Sequence, residues 1–409
     1  MAETDIRQPD EAAPATSPEA ASGDGAPTAA TPAPPDTQAA PEAPSGAAPV
    51  PDDAPATVPT EAVTITATFQ TYPAGRFSHE ELGLSPEQLV GMYRNMLLQR
   101  RFEERAAQMY GKQKIAGFLH LYIGQEAIST GTATALRVGE DSVITAYRDH
   151  GIGLALGMTA AEGMAEMFGR IGGSSKGKGG SMHFFKAEKG LYGGHGIVGG
   201  HVPVGVGLAF SHKYKEDGGV SVTFLGDGAV GQGAVHEALN LASLYDLPAI
   251  VVIENNQYAM GTSIQRAFGQ PEFVRLAVGY GIEAAIVDGM DVLSVTKAIQ
   301  DAARRGREES RPTLLEVRTY RYRGHSMSDP QNYRTKEEMD AKKNEDPIIR
   351  LKSYLLDRKL SDAEALDAID EEVKAEVTAA VEFADASPQP PLEEMYTDVY
   401  TQENYPFLA

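Results

Sequence analysis

Apolar residues fall along the chain in three patterns, and each predicts a different kind of structure. The stretch SPEQLVGMYRNMLLQRRFEERAAQMYGKQ spaces them every three or four positions, which predicts a long amphipathic helix. Ser85 is placed to cap it, Pro86 suits its first turn, and Gln88 can close a capping box. The middle of the chain instead carries short, nearly continuous apolar runs: VSVTFLG (220–226), PAIVVIEN (248–255), IEAAIV (282–287) and TLLEVRTY (313–320). Such runs predict strands buried on both faces. Helix-like stretches lie between them, near 232–245, 272–280 and 291–305. This alternation predicts an α/β fold, a parallel sheet with right-handed crossovers and helices on both faces. Helical extensions are expected before and after it, the latter charged and starting near residue 336. There is no internal repeat of fixed period.

The third pattern is the lack of one. Residues 1–60 are Ala, Pro, Thr and acidic residues, with Arg7 their only basic residue and no aromatic. Such a stretch buries too little apolar surface to offset chain entropy. A disordered acidic arm is therefore expected over 1–62, a passive tail or a tether, with a folded domain over 63–409. Order should begin between about residues 65 and 85.

Composition narrows the function classes. The chain of 409 residues has no Cys, so disulfide frameworks and thiolate metal sites are excluded. No apolar run approaches the roughly 18 residues of a membrane span. The acidic N-terminus resembles neither a secretory signal nor a transit peptide, so a cytoplasmic location in a bacterium is expected. The net charge of −21 argues against nucleic acid as a partner.

The candidate chemistry begins at LGDGAVGQG, residues 225–233. Gly226, Gly228 and Gly231 have the G-x-G-x-x-G spacing of a phosphate-binding turn, yet Asp227 stands in its mouth. A bare carboxylate repels a diphosphate in a dry site. A cation between them reverses the sign. The next predicted strand ends at Glu254-Asn255-Asn256. Both special stretches thus fall at carboxyl ends of neighbouring parallel strands, where open α/β sheets bind ligands. Asp227 can supply charge to Mg2+, Asn256 a neutral oxygen, and a backbone carbonyl near Tyr258 a third ligand. The helix after Ala229 adds amide donors and a favourable dipole. A lone GDG is more often an ordinary polar turn, and the glycine spacing alone also fits a nicotinamide enzyme. The pairing with ENNQY favours a metal–diphosphate site.

The GDG…NN pair resembles the thiamine diphosphate motif. Its wider context includes YRDHG, KGKGGSMH, GGHGIVGGHVPVGVG, GDGAVGQGAVHEALNLASLYDLP, ENNQYAMGTS and YRYRGHSMSDP. Together these resemble the E1 component α subunits of pyruvate dehydrogenase complexes, in the thiamine diphosphate-dependent 2-oxo acid dehydrogenase family. The resemblance spans about residues 80–400. It implies a thiamine diphosphate-binding fold and an α2β2 heterotetramer with an E1 β subunit, inactive without it. It also implies oxidative decarboxylation of pyruvate and transfer of acetyl to the lipoyl arm of an E2 acetyltransferase. GDG and SMSDP stand where branched-chain members usually read GEG and STSDD, which favours pyruvate; an acetoin or other 2-oxo acid dehydrogenase α subunit is the alternative.

Residue by residue, the resemblance assigns metal positions to Asp227, Asn256 and the Tyr258 carbonyl. It assigns diphosphate contacts to Tyr147 and Arg148, and to the backbone of Gly228 and Ala229. Gly196 and Val198 match positions beside the cofactor rings. His120 and His325 match active-site histidines, His325 on a loop expected to order over bound cofactor. Ser326 matches the main serine that a kinase modifies in some members, whereas Asn332 replaces the second. Three features stay open. Lys176, Lys178 and His183 lie in a glycine-rich segment that is equally well a mobile loop with solvated charges. His195 and His201 have no assigned role. Gly205 and Gly207, on a predicted helix, serve either subunit contact or packing within the chain.

Overall fold

A computed structural model describes residues 66–399. The expected arm over 1–62 lies outside the described residues. The strands are, in chain order, β1 (Gln70–Tyr72), β2 (Ser142–Ala146), β3 (Leu191–His195), β4 (Ser221–Gly226), β5 (Ala249–Asn255), β6 (Tyr258–Ala259), β7 (Thr262–Ser263), β8 (Glu283–Asp288) and β9 (Thr313–Arg318). Seven of them form one sheet in the order β1-β8-β9-β5-β4-β2-β3. All its pairings are parallel. β6 and β7 make a separate antiparallel hairpin.

The four apolar runs become β4, β5, β8 and β9, with ends shifted by one or two residues. Their side chains alternate between two cores, as the period of a strand requires. Val222, Phe224, Ile250, Val252, Leu315 and Val317 enter one cluster, which takes in the long helix Pro86–Gly111 and the C-terminal helices. Leu225, Val251, Ile253 and Leu314 enter the other, with helices Val202–Lys215 and Gly233–Leu244. Both faces of the sheet are therefore covered, as the continuous runs predict.

Helix Pro86–Gly111 starts as expected: Ser85 accepts from the Gln88 amide while the Gln88 side chain accepts from the Ser85 amide. The stretch near 272–280 is a 3-10 turn, Phe273–Arg275, running into a short helix, Leu276–Tyr280. Helices Lys336–Lys343, Pro347–Asp357 and Ala363–Ala386 form the charged C-terminal part. Gly205 packs within the chain, since a Cβ there would strike Thr223 on β4; Gly207 has open space beside it. Among the described residues no helix is long and apolar enough to cross a membrane.

Candidate active site

β4 delivers Gly226 opposite Glu254 of β5, so the two special stretches leave the sheet at the same end. Asp227–Ala229 then form a 3-10 turn. Gly228 is required there because a Cβ would lie 2.6 Å from that of Ala259 in the hairpin. The tight turn leaves Asp227 buried, and its Oδ2 has no hydrogen-bond partner among the described residues. Burial pushes its carboxyl up to about 6, against the pull of the Arg321 guanidinium. An unpartnered buried carboxylate oxygen is costly, so the site is one that a ligand would complete.

Asn256 is oriented by Gln125, whose Oε1 accepts from the Asn256 amide at 3.0 Å. The Asn256 Oδ1 is thereby turned toward the Tyr258 amide, 3.4 Å away. Arg321, almost fully buried, reaches the same group of oxygens. It donates to Asn256 Oδ1 at 3.3 Å and to the Tyr258 carbonyl at 3.2 Å. Both bonds are long, and Asn256 Oδ1 already accepts from the Tyr258 amide as well, so a cation there would replace weak donors.

A second group faces these oxygens. His120 precedes helix Glu126–Ala135, Tyr147 and Arg148 follow β2, and His325 lies in the loop after β9. The His120 ring lies 4.6 Å from that of Tyr147 and 5.1 Å from that of His325. Arg148 fixes this geometry from behind. It donates to the carbonyls of Leu121 at 2.6 Å and His325 at 2.8 Å, so one guanidinium holds both histidine segments. Burial and the neighbouring Arg148 push His120 down to about 3 and His325 down to about 4. Both rings are then neutral at pH 7, and the Nδ1 of each is buried without a partner. Arg148 itself is lowered to about 10 by burial and by Arg321, and stays charged.

The segment after β9 is ordered by its own side chains. Arg321 donates to the Tyr333 hydroxyl at 3.1 Å, and that hydroxyl donates to Asp329 at 2.6 Å. Asp329 also accepts from the His325 amide at 2.6 Å. Ser326 is half-buried on this segment, with its hydroxyl 3.0 Å from that of Ser328.

One cavity of about 830 Å3 collects every nominated residue. Asp227, Gly228, Ala229, Asn256 and Tyr258 line one side. His120, Tyr147, Arg148 and His325 line another, and Gly196 and Val198 complete the set. The residues that the sequence reading missed are Gln125, Glu254 and Arg321, which share this cavity. Glu254 sits beside the nominated Asn256 in ENNQY; burial raises it to about 7, and the Tyr122 hydroxyl donates to it at 2.5 Å. Glu254 carries a signal, a charged residue at the end of an apolar strand; Gln125, before helix Glu126–Ala135, and Arg321, past the end of β9, carry none. Lys176 and Lys178 do not line the cavity. A smaller cavity of about 290 Å3 at the ends of β8 and β9 contains none of the nominated residues.

Residues 94–393 match the dehydrogenase E1 component family. The chain belongs to that family. It is 52% identical to the pyruvate dehydrogenase E1 component subunit alpha of Zymomonas mobilis, over 76% of this chain and 88% of that protein. The Rhizobium meliloti protein of the same name is 51% identical over 77% of this chain and 90% of its own length. The mitochondrial protein of that name from Solanum tuberosum is 45% identical over 78% of this chain and 81% of its own length. The dehydrogenase E1 component family depends on thiamine diphosphate. The donor set fits a hard cation beside such a diphosphate. It offers an unpartnered carboxylate oxygen, an amide oxygen and a backbone carbonyl, and neither nitrogen nor sulfur. Among the described residues no three His, Cys, Asp or Glu converge on one point.

Proposed function

We propose that this chain is the α subunit of a pyruvate dehydrogenase E1, active with a β subunit in an α2β2 assembly. With thiamine diphosphate and Mg2+ it decarboxylates pyruvate oxidatively and acetylates the lipoyl group of an E2 acetyltransferase. The observation that carries this reading is the convergence of eleven nominated residues from separate segments on one cavity, around an unpartnered aspartate. The high identity to proteins named pyruvate dehydrogenase E1 component subunit alpha supports pyruvate over acetoin.

Thiamine diphosphate supplies the electron sink for loss of CO2 from a 2-oxo acid. The chain's own residues bind and orient. Asp227, Asn256 and the Tyr258 carbonyl would hold Mg2+ against the diphosphate. The amides of Gly228 and Ala229 would donate to phosphate oxygens. Arg148 contributes charge to that end, while two of its amino groups remain committed to carbonyls. Tyr147 packs against His120 with the two rings tilted by 54°. Each neutral imidazole carries one N–H that can donate to the substrate carboxylate or keto oxygen. Phe118, Met182, Val198 and Met260 give the same cavity apolar walls, which strengthens every polar contact inside.

The test is calorimetric titration of thiamine diphosphate into the chain co-expressed with its β subunit. Binding should require Mg2+ and be lost in Asp227→Ala, and the wild-type complex should release CO2 from pyruvate. Equal binding without metal would overturn the assignment of Asp227.

A further inference from the structure

The glycine-rich segment SSKGKGGSMH left two readings open, a mobile loop with solvated charges or a functional element. The structure supports the second, through a residue outside the segment. Glu166, in the helix Ala160–Met167, is fully buried. Its Oε2 accepts from the amides of Ser175 at 2.7 Å and Gly177 at 2.9 Å. Its Oε1 accepts from those of Gly179 at 2.7 Å and Gly180 at 3.2 Å. One carboxylate thus gathers four backbone donors, the concave arrangement that otherwise binds a free anion. Here the anion is the protein's own side chain, and the hollow is filled. Gly177 makes the wrap possible, with φ +75° and backbone from the preceding turn where a Cβ would stand.

The wrapped segment runs directly into the cavity wall. It continues as the 3-10 turn Gly180–Met182, and Met182 lines the cavity. The next residue, His183, donates from Nδ1 to the Gly194 carbonyl, 2.9 Å away. Its ring stands where a Cβ on Gly196 would come within 3.4 Å. On the outer side the two lysines pair with Glu394 and Asp398 near the C-terminus, at 2.8 to 3.1 Å. Those pairs are largely exposed and screened by salt, so the sealed carboxylate is the stronger anchor.

We propose that Glu166 is a positioning residue for the cofactor-ring side of the cavity. By gathering the amides of residues 175–180 it fixes the wall that sets Met182 and His183 against Gly196 and Val198. The geometric part stands on its own; only what the wall faces rests on the function proposed above.

The first test needs no cofactor and no variant. Hydrogen exchange of the wild-type complex should show the amides of Ser175, Gly177, Gly179 and Gly180 exchanging at least about 100-fold slower than an unstructured loop. Exchange at loop rates would overturn the proposal. The second compares Glu166→Gln with wild type by trypsin cleavage and by thiamine diphosphate titration. Cleavage after Lys176 and Lys178 should quicken at least about tenfold, thiamine diphosphate should bind about tenfold more weakly, and kcat at saturating cofactor should change little. Faster cleavage with unchanged cofactor affinity would show a structural clamp without a positioning role, and so overturn it. Equal acceleration of cleavage throughout the chain would overturn it too, since that marks global unfolding. Failure of wild type to bind thiamine diphosphate would instead remove the functional reading and leave the exchange result standing.

Discussion

Two buried carboxylates lie in glycine-rich surroundings, and they are treated in opposite ways. Glu166 has both oxygens filled by backbone amides. Asp227 has an oxygen that nothing among the described residues fills. The glycines allow close backbone approach in both places, so glycine content does not separate the two. What separates them is whether the surrounding amides are spent on the carboxylate. A satisfied buried carboxylate stabilises the native state, whereas an unsatisfied one raises its free energy and is kept for what it binds.

The comparison breaks most visibly at Asp227. Asp227→Ala should weaken Mg2+-dependent thiamine diphosphate binding by more than about 100-fold, read by calorimetry on the complex with its β subunit. The milder Asp227→Asn should raise the Tm of the same complex without cofactor, because it removes an unpaired buried charge. Glu166→Gln should do the reverse and cost about 1–3 kcal/mol, several degrees of Tm, because it turns an acceptor into a donor facing amides. Equal signs for these two substitutions would dissolve the contrast.

A pH series sharpens it. His150 is fully buried between Glu103 and the Ser181 carbonyl, with its Nδ1 3.0 Å from the carboxylate and its Nε2 donating at 2.8 Å. Burial disfavours the imidazolium, but Glu103, Asp149 and the Ser181 carbonyl together outweigh it and push His150 up to about 9. A raised histidine stabilises fully below its unfolded value of about 6.5 and loses that contribution as pH rises through about 9. Melting of wild type should therefore weaken between pH 7 and about 9 more than melting of His150→Gln; parallel curves would refute it. The smallest effect is expected at Lys178→Ala. Its pairs with Glu394 and Asp398 are exposed, so the urea midpoint should hardly shift, and less still in high salt.

Much of this organisation is legible in the sequence alone. The capping box at Ser85 and Gln88 is a local code, and the strands β4, β5, β8 and β9 are long apolar runs with no competing signal. β1 was not legible because it spans three residues, and β3 because LYGGH carries two glycines with poor strand propensity. At the site, Asp227 and Asn256 were legible because a strand end is a fixed address in this kind of sheet. Arg321 and Gln125 were not, since each acts by orienting another side chain across the fold. Glu166 left no trace at all: its partners are backbone amides, which every sequence has.

The sheet order also divides inheritance within the site. Asp227 and Asn256 directly follow two adjacent interior strands, β4 and β5, whose register cannot slip without emptying both cores. His120 and His325 ride on connecting segments that a single arginine side chain holds together. In the proposed site, a change in those connecting segments would alter the side assigned to the substrate and leave the proposed cation ligands in place.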